Sequence, residues 1–439
     1  MRTVAALLTL LSAPACLAQS PGGAAEIRPY RGRGVQVFTE LEPAAARRVT
    51  AAIGDAVASA GTLFGARQLP AVRAFVWGDP SGWPVEQVPP DAQAALRGGP
   101  PAYDLEWTRN SNTYTIAGVE YGRNSRDDKS ATFWSPVTDG QAETAAVAAV
   151  AALTLTDAPD WYVHGAAELA RYAERGRTAV AISDRDLTFL TSVERPSLRD
   201  AIEASAGRMS PANERQVAAV QWRWALAHLA AFNPNFANRY AAIGPALAAE
   251  REVDFDAAFG DVAPQLAFEW NQFLEHIQQG LDPAATAWDW SAKARPLGPR
   301  PATVRVAADR GWQPAKVIVT AGQPIAVTAE GTVTLGPDEP RPAAVDPLAE
   351  PDPAAARSAR KRREPGEDLT PAGGPDGRGK LVAAVFDSQL FQLSEPFDLG
   401  PEGTVPAPAT GELVLRVRDA WGQLDDNRGR FTVKLSRPD

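Results

Sequence analysis

Apolar positions change period along this chain, and each change marks a boundary. From Gly34 the run Val35-Gln36-Val37-Phe38-Thr39 alternates with period two and predicts a strand. Val49, Ile53, Val57, Ala60 and Phe64 then recur at helical spacing, with Pro43 suited to the first turn and Gly65 to the stop. Ala71 to Trp77 reads as a second strand. Tyr103 to Trp107 and Tyr114-Thr115-Ile116, separated by the polar Asn110-Ser111-Asn112, predict a hairpin, so residues 30–139 make a small α/β unit with an exposed sheet edge. Residues 140–295 are mainly helical, with helices predicted near 141–155, after Pro159, at 213–232 and at 264–279. Pro296, Pro299 and Pro301 form a linker. Beyond it, Val304-Arg305-Val306 and Lys316-Val317-Ile318-Val319 alternate again and open a separate β domain over 302–439. The fold class is α+β.

Two histidines and one long segment stand out against this pattern. Val217, Val220, Trp224, His228 and Ala231 share one helical face, which makes His228 a core residue, whereas His276 falls near a helix end and reads as surface. Residues 337–379 are rich in Pro, Ala and charge, with Arg357, Arg360, Lys361, Arg362 and Arg363 clustered and almost no large apolar side chain. That composition predicts a disordered insertion.

At the N-terminus Arg2 precedes the apolar run Val4 to Leu11 and the small residues Ala13 to Ala18. This predicts a signal peptide over residues 1–18 and a secreted, periplasmic or cell-envelope protein. Cleavage after Ala18 removes Cys16, the single cysteine; acylation of Cys16 in a lipoprotein is the other reading. No later stretch is long and apolar enough to span a membrane. A hydrophobic fraction of 45% with 12 Trp can fill sizeable cores, and a net charge of −9 argues against nucleic acid as a main partner.

The run Pro159-Asp160-Trp161-Tyr162-Val163-His164-Gly165-Ala166-Ala167-Glu168-Leu169-Ala170-Arg171-Tyr172, with Phe259-Gly260-Asp261 and Glu269-Trp270 downstream, resembles the peptidase MA-like, or gluzincin, family. The resemblance implies a strand–helix–strand unit followed by a zinc helix and a Trp-x-x-Glu-Gly helix, across more than half of the chain. His164 stands where that family has its ligand glutamate. Such peptidases place two imidazoles and a glutamate on one helix as His-Glu-x-x-His. The matching window here is Ala142-Glu143-Thr144-Ala145-Ala146, so Glu143 remains while Ala142 and Ala146 take both histidine places. Alanine offers no lone pair to a metal, and catalytic zinc takes three protein ligands and a water. No Zn²⁺ is expected, and Glu143, His164 and Glu168 read as a vestigial cleft. The alternative is an active hydrolase, a peptidase or a glycan-directed enzyme, using those three residues in an atypical acid–base or metal site.

The last domain resembles the PA-IL-like calcium-dependent galactophilic lectins. The resemblance lies in Gly311-Trp312, Val317 to Val319, Ala321-Gly322-Gln323, and above all Asp419-Ala420-Trp421-Gly422-Gln423-Leu424-Asp425-Asp426-Asn427-Arg428-Gly429-Arg430-Phe431. It implies a β-sandwich holding Ca²⁺ through the side chains of Asp419, Asp426 and Asn427, the carbonyl of Gln423, and a carbonyl near Leu335. Ca²⁺ suits such a mixed set of oxygens; an Asp/Asn-rich turn that merely joins two strands is the other reading. The lectins also fix the sugar through a histidine and a glutamine, and residues 337–379 contain neither. Calcium is therefore structural or ligand-binding, with a glycan or cell-envelope polymer as the expected partner. Taken together, the chain reads as a non-enzymatic peptidase-like scaffold carrying a calcium-stabilised, carbohydrate-binding domain.

Overall fold

The computed structural model describes residues 26–66, 69–84, 88–97, 102–109, 112–116, 119–121, 129–137, 140–155, 158–172, 178–203, 214–337 and 366–438. Residues 1–18, where the sequence predicts a signal peptide, and the basic cluster from Arg357 to Arg363 lie outside the described residues.

Seven strands form the first sheet: β1 (Arg28–Gly32), β2 (Val35–Thr39), β3 (Ala71–Trp77), β4 (Ala102–Arg109), β5 (Asn112–Ile116), β6 (Val119–Tyr121) and β7 (Lys129–Pro136), in the order β1-β2-β3-β7-β4-β5-β6. The central trio β2, β3 and β7 is parallel, and β4 runs antiparallel to β7. Parallel strands need crossovers and buried faces, which explains why β3 reads as a nearly continuous apolar run. Helix α1 (Pro43–Leu63) supplies the first crossover; its residues Val49, Ile53 and Val57 bury against Val37, Val72 and Val76. Helix α2 (Pro90–Leu96) lies with Ala92 and Ala95 in a second cluster that includes Phe38, Phe75 and Trp134, whose rings stack at 4.9 and 5.5 Å.

The helical part follows as α3 (Gln141–Thr154), α4 (Asp160–Arg171), α5 (Asp184–Ser192), α6 (Leu198–Glu203), α7 (Glu214–Phe232), α8 (Ala237–Ala248), α9 (Phe255–Phe259), α10 (Ala263–Glu275) and α11 (Pro283–Thr286). Helix α4 packs between α3 and α7. Gly165 makes that approach possible, because a Cβ there would lie 2.9 Å from the Cβ of Ala227 and 3.0 Å from the carbonyl oxygen of Arg223. His228 is buried as expected, with its ring centroid 5.0 Å from Trp224 and 4.9 Å from Phe232. His276 is not a surface residue: its ring stacks on Trp421 at 4.3 Å and 13°, and burial with the nearby Arg416 and Arg195 pushes its pKa down to about 4. The helix end that exposes a histidine in isolation is covered here by the β domain.

That domain begins with β8 (Arg295–Pro296) and β9 (Ala302–Ala307), continues through β10 (Gln313–Val319), β11 (Pro324–Leu335), β12 (Glu367–Leu369), β13 (Leu381–Asp387), β14 (Gln392–Leu393), β15 (Phe397–Asp398), β16 (Glu402–Pro406) and β17 (Gly411–Val417), and ends on β18 (Arg428–Ser436). One sheet has the order β14-β13-β17-β10-β8 with β15 on β13; the other has β12-β11-β18-β9 with β16 on β11. Val317, Val385 and Leu415 from the first sheet meet Val306, Val327, Val333 and Val433 from the second in one core.

The expected disorder is not found over residues 366–379, the part of that segment beyond Pro337 that the structure describes. Residues 366–379 are ordered, because β12 pairs with β11 from Val333↔Leu369 to Leu335↔Glu367 and Leu369 enters the core. One apolar side chain and three ladder positions anchor a segment whose composition alone suggests none.

The two parts of the chain meet across aromatic rings. Trp288 lies 4.9 Å from Phe268 of α10 and 4.8 Å from Phe386 of β13. Below them Glu269 accepts hydrogen bonds from Asn233 Nδ2 (2.5 Å), Asn235 Nδ2 (2.8 Å), Trp288 N (3.2 Å) and Trp290 Nε1 (2.7 Å). A buried carboxylate is tolerated when donors of this number surround it. Burial raises its pKa, and these hydrogen bonds oppose the rise.

Candidate functional site

The peptidase-like window sits on α3, and α4 carries the second stretch. Ala142 and Ala146 are fully buried in the main core, so the face that would present two imidazoles is a packed apolar surface. Glu143 and Glu168 are both buried, on α3 and α4 respectively. His164 is half-buried; burial first, then the charge of Arg223, lowers its pKa, and Asp160 opposes them. Arg223 is the residue that sequence reasoning missed here. Its side chain is buried on α7 beside α4, and burial lowers its pKa while Asp160 raises it. An arginine inside an otherwise apolar helix is the signal that could have found it. Among the described residues, no three His, Cys, Asp or Glu side chains converge on one point.

The β-domain loop is built differently. Strand β17 ends at Val417, a short 3-10 turn spans Trp421–Asp426, and β18 starts at Arg428. This hairpin returns Asn427 to the side of Asp419: Asn427 Nδ2 donates to Asp419 Oδ2 (3.0 Å) and to the carbonyl of Ala308 (3.2 Å). Two acceptors on one side fix the amide orientation, so Asn427 Oδ1 points the other way. That oxygen is buried and accepts no hydrogen bond. Asp426 presses its carboxylate against Gly336, where a Cβ would fall 2.5 to 2.7 Å from the carboxylate atoms. Only glycine at the end of β11 admits that contact. Gln423 is buried in the turn, its backbone N–H donating to the Ala420 carbonyl.

The carbonyls at the end of β11 alternate in direction. The oxygen of Leu335 lies against Gly366 on the β12 side, and the next one, of Gly336, accepts from Arg378 Nη2 at 2.9 Å. Successive strand carbonyls point to opposite edges, so a one-residue step decides which of them meets the loop. Asp426 thus lies on Gly336, Asp419 is linked to Gly336 through Arg378, and Asn427 lies beside Asp419, while the Leu335 oxygen is directed to the neighbouring strand.

Two arginines frame this cluster, and neither was anticipated from the sequence. Arg378 Nε donates to Asp419 Oδ1 at 2.9 Å, with the Asp419 side chain 0% and the Arg378 side chain 21% exposed. Arg416 lies on the inner side: Nη2 donates to the Asp419 carbonyl at 2.6 Å, and its guanidinium covers the Trp421 ring at 3.6 Å. Burial pulls its pKa down to about 9 against the opposing pull of Asp419. The far face of the Trp421 ring carries His276, so the loop is clamped to the helical part through a histidine–tryptophan–arginine stack. The gap at this junction holds about 30 Å³, room for a water and not for a sugar.

No family model matches the chain, and no curated protein matches it. Among solved structures, the chain is similar to the N-terminal domain of EclA, described as a PllA-like lectin, with 20% identity, 31% of this chain and 95% of that chain covered, and a TM-score of 0.21.

Proposed function

We propose that this chain is a secreted, non-catalytic protein in which a gluzincin-like α/β and helical scaffold carries a calcium-stabilised, glycan-binding β-sandwich. The observation that carries the binding half is the buried oxygen cluster of the last loop. Asp426 packs its carboxylate on Gly336 from a second loop, Asn427 donates to Asp419, and Asn427 Oδ1 is buried without a donor. A buried acceptor left so costs about 1–3 kcal/mol, which a hard cation would offset. Carboxylate, amide and backbone oxygens are the ligand types that calcium takes, about six to eight at a time in flexible geometry. The side chains of Asp419, Asp426 and Asn427 would hold it, with carbonyls from Gln423 and the end of β11. When bound, calcium supplies a charge that joins the two loops and, by the resemblance to PA-IL-like lectins, two positions for sugar hydroxyls.

The chain's own residues contribute the rest. Asn427 orients Asp419 by donating to it, and the 3-10 turn fixes the direction of Gln423. The non-catalytic half of the reading is supported by Ala142 and Ala146, buried where imidazoles would be needed. Elemental analysis of the purified chain is expected to give about one calcium and no stoichiometric zinc. Retention on immobilised galactose is expected to vanish in chelator. A calcium-free protein that ignores both galactose and chelator sinks the binding half. Stoichiometric zinc, or peptide hydrolysis lost in Glu143→Gln with the fold intact, replaces the scaffold by a hydrolase.

A further inference from the structure

The cation cluster already contains a positive charge, and it belongs to the chain. Arg378 reaches from the loop after β12 and spans two elements: Nε on Asp419 Oδ1 from the β17–β18 loop and Nη2 on the Gly336 carbonyl from the end of β11, each at 2.9 Å. Those are the two loops that a bound calcium would join. We propose that the Arg378 guanidinium is a tethered cation that holds this site closed, and that a divalent cation enters only by displacing it. The inference rests on the cation reading given above.

The backbone around Arg378 is built to present it. Gly373, Gly377 and Gly379 take φ of +75, +85 and +74, a turn that L side chains resist. Gly374 N donates to the Arg378 carbonyl (2.7 Å), and Arg378 N donates to Asp376 Oδ1 (3.0 Å). On the other flank, Gly379 N donates to the Arg418 carbonyl and Arg418 N returns to the Lys380 carbonyl, both at 2.8 Å. The main chain is therefore fixed against β17 while the side chain lies at the mouth, 21% exposed over a carboxylate that is 0% exposed. A rotation about side-chain torsions moves the guanidinium into solvent without moving the strand.

Charge explains why the two cations exclude each other. Asp419 and Asp426 bring two negative charges, and Arg378 and Arg416 bring two positive ones, so the cluster is balanced before any metal arrives. Arg416 is buried beneath Trp421 and cannot leave. Adding two more positive charges within a few ångströms of both guanidiniums is repulsive in a desolvated site, and shedding Arg378 relieves it. Calcium affinity is then set by an intramolecular competitor, and calcium binding sends the Arg378 guanidinium into solvent at the rim where a sugar would sit.

The test compares the full chain with Arg378→Gln and with Arg378→Lys, which keeps the charge but lacks the fork needed to span both partners. Calorimetric melting in chelator and calcium titration calorimetry are run on each. Arg378→Gln is expected to lower the melting temperature by about 10 °C in chelator. Calcium should restore it, with an affinity at least about tenfold tighter than that of the unsubstituted chain. Arg378→Lys should fall between the two. Equal calcium affinity in all three proteins overturns the competition while leaving the calcium site standing. A destabilised Arg378→Gln that calcium does not restore makes Arg378 an ordinary ion pair. Absence of calcium binding from every protein removes the cation reading itself.

Discussion

A single imidazole shows how burial turns a titratable group into a core residue. His228 sits among Trp224, Phe232 and Phe273, and burial pushes its pKa from 6.5 down to about 3, against a smaller opposing effect of a backbone hydrogen bond with Thr178. The folded pKa lies below the unfolded one, so the unfolded chain takes up the proton first. The stability His228 contributes is complete above pH 6.5 and is lost as the pH falls from there toward 3, by on the order of 3 kcal/mol near pH 4. Urea midpoints at neutral pH and near pH 4 check this. His228→Phe should lose less stability across that interval than the unsubstituted chain, and an identical loss would contradict the assignment. The same scale explains what was missed: Arg378 and Arg416 carry no local signal strong enough to place them, since an arginine's burial is set by what closes over it.

Among the elements, α4 shows a glycine whose place is set by helix packing. Gly165 lies between His164 and Ala166 in the stretch that resembles the gluzincins, but its measurable job is to let α4 approach α7. Gly165→Val would drive a branched side chain into Ala227 and the Arg223 carbonyl and force the helices apart. The expected loss is about 1–3 kcal/mol, read from the chemical denaturation midpoint. A midpoint unchanged from the parent would mean that the pair repacks freely. Periodicity located α1, which buries one face whose spacing is local, whereas α7 is buried at every position from Gln221 to Ala230. The ordered turn at 366–379 was not legible, since three ladder positions and Leu369 gain their partners from strands far along the chain.

Over the whole molecule, the junction ties the two parts together. Trp288 bridges Phe268 and Phe386, and the Trp421 ring is held between His276 and Arg416. Trp288→Ala removes one of the two tryptophan rings that touch both sides, the other being Trp290. The single calorimetric transition expected of the parent should split in two, whereas one undivided transition in the variant would show that the junction does not depend on it. Sequence by itself determined the mixed α+β character, the buried face of α1 and the absence of imidazoles at positions 142 and 146, because periodicity and side-chain chemistry are properties of neighbouring residues. Tertiary structure alone decided that Arg378 reaches Asp419, that the Gly336 carbonyl meets Arg378 while that of Leu335 lies against Gly366, and that His276 is covered. Those outcomes depend on which strands and helices close over a side chain, and that is settled by contacts between residues far apart along the chain.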